Sequence, residues 1–386
     1  MKMLKGQFPL ERFAALKTPF YYYDMALLGK TLSKVNSIVG KNPDYKVHYA
    51  VKANFNPVIL KTIASSGLGA DCVSGGEIKA ALEAGFPASK IVYAGVGKSD
   101  PEILLGLRSG ISRFNVESEA ELDVIASIAE SEGVVAPVSF RVNPDIGAHT
   151  HANITTGLAE NKFGINYEQL EGVIRKALSL PSVRYCGLHF HIGSQILDMM
   201  DFVALCNRIN TLTLKLRMAS LPVGDINVGG GLGINYQHPN HLPIADFDQY
   251  FATFRTHLRL PQGTAVHFEL GRSIVAPCGS LISRVLYVKK GTSRQFAIID
   301  ASMTELIRPA LYKAYHRIEN LTSDRPEQIY DVVGPVCESS DVFLKGASID
   351  ECRRGDLLAI RSAGAYGESM ASCYNCRPLP ESLFSE

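Results

Sequence analysis

No run of apolar residues in this 386-residue chain approaches the ~20 needed to span a bilayer, so a helical membrane anchor is not expected. An excess of one charge is equally missing. Lysine and arginine number 39 against 38 aspartates and glutamates, a formal net charge of +1, and no basic block breaks the pattern. Nucleic acid and anionic membrane surfaces are therefore not expected partners. Residues Met1-Lys2-Met3-Leu4-Lys5-Gly6-Gln7-Phe8-Pro9 have no continuous apolar core and do not read as a secretory signal. A disulfide framework is absent too. The eight cysteines (Cys72, Cys186, Cys206, Cys278, Cys337, Cys352, Cys373, Cys376) are scattered, as reduced thiols of a cytoplasmic enzyme are. Cys373 and Cys376 form a CxxC, but no second pair or nearby histidine accompanies it, and ordinary packing is the expectation. What remains is a globular composition, 46% hydrophobic and 20% charged, long enough for a large domain and a smaller one.

From about residue 46 the chain repeats one phrase: short apolar strand, polar loop, capped helix, glycine. Asn56 reads as an N-cap, Pro57 as the first helical residue and Gly67 as the stop. The strand Gly69 to Val73 leads through Ser74-Gly75-Gly76 into a helix stopped by Gly85. Ile91–Ala94 precedes a helix from Asp100-Pro101 to Gly110, and Ile111–Val116 precedes Ser118-Glu119-Ala120-Glu121, a capping box, with a helix ending near Gly133. Four more strands are expected at Ala136–Val142, Arg184–His191, Asp225–Val228 and Ala265–Leu270. Eight alternating units match a (β/α)8 barrel; a doubly wound open sheet is the competing architecture. Polar residues recur at strand C-terminal ends (Lys52, Ser74, Glu117, Arg141, His191, Gly229, Glu269). A barrel gathers such ends on one site, whereas an open sheet disperses them. After about Ser273, Ser280–Val288, Gln295–Asp300 and Leu357–Ile360 read as strands. The expected class is α/β, with a barrel over 24–273 and a mostly β, sandwich- or barrel-like domain from 274–386. Residues 1–23 are expected to join that second domain through the strand Phe20-Tyr21-Tyr22-Tyr23.

Lys52 ends an otherwise apolar strand, Val47-His48-Tyr49-Ala50-Val51. An amine there is either a snorkelling strand-end lysine or a Schiff-base nucleophile whose pKa falls on desolvation. Gly229-Gly230-Gly231-Leu232-Gly233 follows strand seven, where barrels build phosphate sites, and strand eight closes with Glu269-Leu270-Gly271-Arg272. A lysine, a glycine cradle and a carboxylate suit pyridoxal 5'-phosphate (PLP), with Glu269 keeping the ring nitrogen protonated as an electron sink. His189-Phe190-His191 puts two imidazoles on one side of a strand. They read as part of a zinc site, as satisfied core histidines, or, for His191, as a stacking partner of a flat cofactor with Ser194 on its phosphate. No carboxylate or histidine at the other strand ends clearly completes a metal site, and none is expected. Three clusters in the second domain, Arg308-Pro309-Ala310-Leu311-Tyr312, Cys337-Glu338-Ser339-Ser340-Asp341 and Gly364-Ala365-Tyr366-Gly367, are each readable as ordinary loops, and Cys337 alone as an inert thiol.

Taken together, with Tyr49-Ala50-Val51-Lys52-Ala53-Asn54, Asn161-Lys162-Phe163-Gly164-Ile165 and His191-Ile192-Gly193-Ser194-Gln195, these segments resemble the fold-type III PLP-dependent decarboxylases, the diaminopimelate decarboxylases most closely. The resemblance runs from about Thr18 to Pro378. It implies that Lys52 carries the cofactor and His191 stacks on its ring. Ser194, Gly231, Gly271 and Arg272 would surround the phosphate, Glu269 would meet the ring nitrogen, and Tyr366 would close over it. It implies Cys337 as proton donor to the carbon that loses carbon dioxide, and Arg272, Arg308, Tyr312, Glu338 and Tyr366 as substrate contacts. The implied reaction is decarboxylation of meso-2,6-diaminopimelate to L-lysine, the last step of lysine biosynthesis, in a homodimer whose Cys337 segment reaches the partner's barrel. An ornithine or arginine decarboxylase, a PLP-binding regulator without catalysis, and a metal-dependent barrel hydrolase are the rival readings. Two departures from the family pattern read as drift: Leu270 where proline is usual, and Cys373 and Cys376 in place of small polar residues.

Overall fold

The computed structural model describes residues 5–144 and 162–386; of the motifs above, Asn161 alone lies outside them. The strand β1 (Phe20–Tyr23) is followed by eight more: β2 (Tyr45–Ala50), β3 (Gly69–Cys72), β4 (Ile91–Tyr93), β5 (Arg113–Val116), β6 (Ala136–Arg141), β7 (Val183–His189), β8 (Asp225–Asn227) and β9 (Val266–Leu270). Strands β2 to β9 close into a barrel. Each pairs in parallel with the next, and β9 returns to β2 with Tyr45 opposite Val266 and Tyr49 opposite Leu270. That closure rules out the open doubly wound sheet. The helices between strands begin where cap chemistry dictates. Asn56 accepts from the Val58 amide at 3.0 Å, Ser74 from Glu77 at 3.2 Å and Ser118 from Glu121 at 3.2 Å, each satisfying an amide that the first turn leaves unpaired. The Glu121 carboxylate does not complete the capping box expected at Ser118. It accepts instead from the Glu117 amide at 2.8 Å and pairs with the Lys98 ammonium at 2.6 Å, so its two oxygens are engaged by other donors.

The strands stop sooner than their apolar patterns indicate. β2 ends at Ala50, and Lys52 lies in a single 3₁₀ turn, Val51–Ala53. β7 ends at His189, so the two imidazoles of the His-x-His do not share a strand. His191 belongs to the loop beyond.

The second unit holds eight strands of mixed direction: β1, β10 (Gly279–Lys290), β11 (Gln295–Ile299), β12 (Ile318–Asn320), β13 (Glu327–Val333), β14 (Val342–Asp350), β15 (Leu357–Ile360) and β16 (Glu381–Phe384). β10 is long enough to serve both halves. Leu281–Arg284 pair with β15, whereas Val285–Lys290 pair with β11. β1 pairs antiparallel with β10 and parallel with β16. The described residues of Leu32–Gly233 and Asp246–Gly271 pack as one compact unit. The described residues of Met1–Thr31, Ile234–Ala245 and Arg272–Glu386 pack as the other. No helix among the described residues is long and apolar enough to cross a membrane.

Candidate active site

Alternation along the barrel strands turns every second side chain inward, and at the C-terminal end of β9 the inward residue is Glu269. It is 8% exposed. Its Oε1 accepts from Asn115 Nδ2 of β5 at 3.2 Å and from Asn227 Nδ2 of β8 at 2.6 Å. Its Oε2 lies 3.0 Å from His189 Nε2 of β7. Four strands thus converge on one carboxylate. Burial pushes its pKa up, but His189, which lies within hydrogen-bond distance, and the Lys52 cation outweigh burial and hold it well below the usual carboxylate range. Glu269 is a buried anion. One layer deeper, two residues back along the same strands, His48 Nε2 meets His267 Nδ1 at 2.8 Å and Arg113 donates to Asp225 at 2.9 Å.

Lys52 follows β2, with Nζ 4.0 Å from Asp71 Oδ2 and a side chain 43% exposed. Lys52 was expected to end the strand; the 3₁₀ turn instead places it beyond the strand. Asp71 is buried at the end of β3. Burial and then Glu269 raise its pKa well above the usual range, against the opposing pull of Lys52.

The loops after β7 and β8 are zipped together. Ile196 donates to the Gly231 carbonyl at 2.9 Å, and Gly233 donates to Ile196 at 2.9 Å. Ser194 and Gly231 therefore lie on one joined structure. The Gly230 amide donates to His191 Nδ1 at 3.3 Å. Burial, then Arg141 and Lys52, push His191 well below the usual imidazole value, so the ring is neutral. The glycines answer to backbone packing. A Cβ at Gly230 would stand 1.9 Å from the Glu269 carbonyl, and one at Gly231, where φ is +109°, would stand 2.9 Å from the Gly193 carbonyl. Side chains are excluded there, which leaves a loop of bare backbone fit to approach an anion closely. Gly271 lets the chain pass the lysine turn, since its Cβ would be 3.0 Å from Ala53 Cβ. Leu270 is buried and stays in register with Tyr49.

Other strand-end residues do structural work. Ser74 is the helix cap described above. Arg141 donates to Glu117 at 2.7 Å, and Glu117 accepts from the Gly164 amide at 2.8 Å. His189 and His191 engage different groups, Glu269 and Gly230. Among the described residues no three His, Cys, Asp or Glu side chains are grouped to hold a metal ion.

The remaining candidates belong to the second unit. Arg272 and Arg308 are both buried and both donate to Tyr236 Oη, at 2.7 and 2.9 Å. Arg308 also meets His316 Nε2 at 2.9 Å. The Arg272 guanidinium lies 4.9 Å from the centre of the Tyr366 ring, and Tyr366 is held at a positive φ of 56°, a conformation that costs free energy in a non-glycine residue. Tyr312 is half-buried on the short helix Arg308–Tyr312. Cys337 and Glu338 are exposed, and Glu338 accepts from Tyr374 Oη at 2.7 Å. Asp341 shapes that loop by accepting from the Met303 and Val336 amides at 2.7 and 2.9 Å. Cys373 and Cys376 are exposed thiols and not packed ones, because they flank a tight turn in which Asn375 and Cys376 both have positive φ.

The strand-end reading missed Asn115, Asn227 and Asp71, and nothing flagged Tyr236 or His316. Asn115 and Asn227 each stand two residues past another polar residue on a short strand (Arg113-x-Asn115, Asp225-x-Asn227), a spacing that marks one face of a strand only once the strand itself is recognised. Tyr236 and His316 lie in loops, where no periodicity marks them.

Comparison with known proteins adds a family. The profile of the pyridoxal-dependent decarboxylase pyridoxal-binding domain matches residues 28–276. The chain is 61% identical to a diaminopimelate decarboxylase of Bacteroides thetaiotaomicron, over 99% of both proteins. It is 41% identical to that of Zymomonas mobilis, over 96% of this chain and 88% of the relative. It also superposes on the crystal structure of Helicobacter pylori diaminopimelate decarboxylase complexed with L-lysine, with a TM-score of 0.91 and 41% identity over 98% and 94% of the two chains.

Proposed function

The chain belongs to the diaminopimelate decarboxylases of the pyridoxal-dependent decarboxylase family, and we propose that it converts meso-2,6-diaminopimelate to L-lysine and carbon dioxide. The observation that carries this reading is the buried, ionised Glu269 at the barrel mouth, bonded by Asn115, Asn227 and His189. A carboxylate kept anionic in the interior needs a cationic hydrogen-bond donor, and a protonated pyridine nitrogen is one. The residues fit PLP: Lys52 to carry it, His191 as a neutral ring to stack on it, and Ser194, Gly231, Gly271 and Arg272 for its phosphate, with Tyr366 as the cover. Bound there, PLP supplies an acceptor for the electron pair left when carbon dioxide departs.

The chain's own side chains do the rest. Lys52 would hold the cofactor through its amine, and that amine, when free, would carry a proton beside the reacting carbon. Glu269 keeps the ring nitrogen protonated through the reaction, and its three donors stop it from taking that proton for itself. Cys337 returns a proton to the substrate carbon. Arg272, Arg308, Tyr312, Glu338 and Tyr366 recognise the substrate. Its distal end carries an ammonium and a carboxylate, which Glu338 and Arg308 match in charge. Ornithine and arginine have no distal carboxylate for Arg308. Purified enzyme assayed on all three amino acids should therefore favour diaminopimelate by about 10²-fold or more in kcat/KM; a preference for ornithine would overturn the substrate assignment.

We further propose a cytoplasmic homodimer. Eight free cysteines support the location. Exposure of Cys337 and Glu338 supports completion of each site by the partner's loop. Mixing Lys52→Ala with Cys337→Ala protein and allowing subunits to exchange tests this. Half of the dimers become mixed and each has one intact site, so activity should return to about a quarter of wild type. Mixtures as inactive as their parents would contradict shared sites.

A further inference from the structure

We propose that Tyr236 is a positioning residue: with His316 it fixes the Arg308 guanidinium so that its Nε–Nη2 edge is presented to a substrate carboxylate. The inference deepens the decarboxylase reading and rests on it. Tyr236 lies three residues past Gly233, is buried, and its Oη accepts from Arg272 Nη1 at 2.7 Å and Arg308 Nη1 at 2.9 Å. A phenol oxygen has two lone pairs, and here both serve guanidinium groups. The ring itself is fixed from two sides. Arg308 lies 5.1 Å from its centroid, and His316 meets it edge-on at 5.0 Å.

His316 supplies the second half of the clamp. Its Nδ1 donates to the Arg361 carbonyl at 2.8 Å, which leaves Nε2 as the acceptor for Arg308 Nη1 at 2.9 Å. One neutral tautomer satisfies both bonds. Burial first, and then Arg308, push its pKa down to about 3, so it stays an acceptor throughout the physiological range. The two Nη1 hydrogens of Arg308 are thus committed to Tyr236 and His316. Five N–H groups less two leave the Nε–Nη2 fork, which has the geometry for bidentate recognition of a carboxylate. Among the described residues Arg308 has no carboxylate partner, although it is a buried cation. Such a charge is stable only if an anion joins it or its partners spread it. The phenol does the second, and the fork is shaped for the first.

The test is Tyr236→Phe, which keeps the ring and removes the shared acceptor, assayed with saturating cofactor. L-lysine keeps one carboxylate; cadaverine has none. The variant should raise KM for diaminopimelate and the inhibition constant of L-lysine by about tenfold, the scale of one charge-assisted hydrogen bond. Its kcat should remain within about threefold and inhibition by cadaverine within about twofold of wild type, because neither involves the fork. His316→Leu should reproduce this selective loss, and His316→Gln, whose amide reaches the Nε2 position, should restore most of it. Equal weakening of L-lysine and cadaverine, or a fall in kcat at constant KM, would overturn the clamp. So would a Tyr236→Phe enzyme indistinguishable from wild type, and that result would leave the decarboxylase reading intact. A wild-type enzyme that fails to turn over diaminopimelate would instead sink the decarboxylase reading, and the clamp would then be judged on the L-lysine-to-cadaverine ratio alone.

Discussion

Replacing Lys52 with alanine is expected to lower carbon dioxide release by about 10⁴-fold or more, because on the proposed reading it removes the amine that anchors the cofactor and carries protons beside it. The fold should survive. Lys52 lies in a single 3₁₀ turn with a side chain 43% exposed, so truncation leaves no buried cavity. The melting temperature should therefore stay within a few degrees of wild type, to judge from the small cost of surface substitutions. Lys52→Arg should rescue nothing, as a guanidinium does not deprotonate to become a nucleophile. Loss of activity together with loss of folding would mean that Lys52 is structural.

Glu269→Gln is expected to lower kcat by about 10³-fold, the magnitude of losing one preorganised charge opposite a developing one. The amide cannot keep a ring nitrogen protonated. It also turns an N–H₂ group toward Asn115, Asn227 or His189, all of which now donate to the carboxylate or face it, and a buried mismatch of that kind costs about 1–3 kcal/mol. A lower melting temperature should therefore accompany the kinetic defect, unlike the Lys52 case. The pH sense follows from the depressed pKa of Glu269. Its stabilisation is complete above the ordinary carboxyl range and is lost only as pH falls below that range through the folded value. Wild type should lose stability in acid more steeply than Glu269→Gln, which chemical denaturation at pH 3 and pH 7 would measure. Parallel pH profiles would show that Glu269 is not the buried anion described.

The barrel was legible because helix caps and glycine stops punctuate eight apolar segments. Asn56-Pro57, Ser74 and Gly110 announce helix ends by chemistry that holds in any context. Strand ends were less legible. Val51 and Phe190 are as apolar as the strand residues before them, and only hydrogen bonding shows that β2 and β7 have already ended. The parts of the site that repeat along the barrel, Lys52, Glu269 and the glycine loop, could be read from their order. Asn115 and Asn227 could not, because an asparagine on a short strand reads as a turn residue until register aims it at Glu269. The Tyr236–Arg308–His316 clamp joins residues 72 and 8 positions apart in irregular segments, where sequence spacing carries no information about contact.

The most direct test of the cofactor assignment is reduction of the purified holoprotein with borohydride, which fixes pyridoxal to whichever amine holds it, followed by mass analysis of the peptides. The prediction is a single pyridoxyl group on Lys52, with the visible absorbance lost and carbon dioxide release from diaminopimelate abolished in proportion. A pyridoxyl group on another lysine, or protein that stays active and unlabelled after reduction, would contradict it.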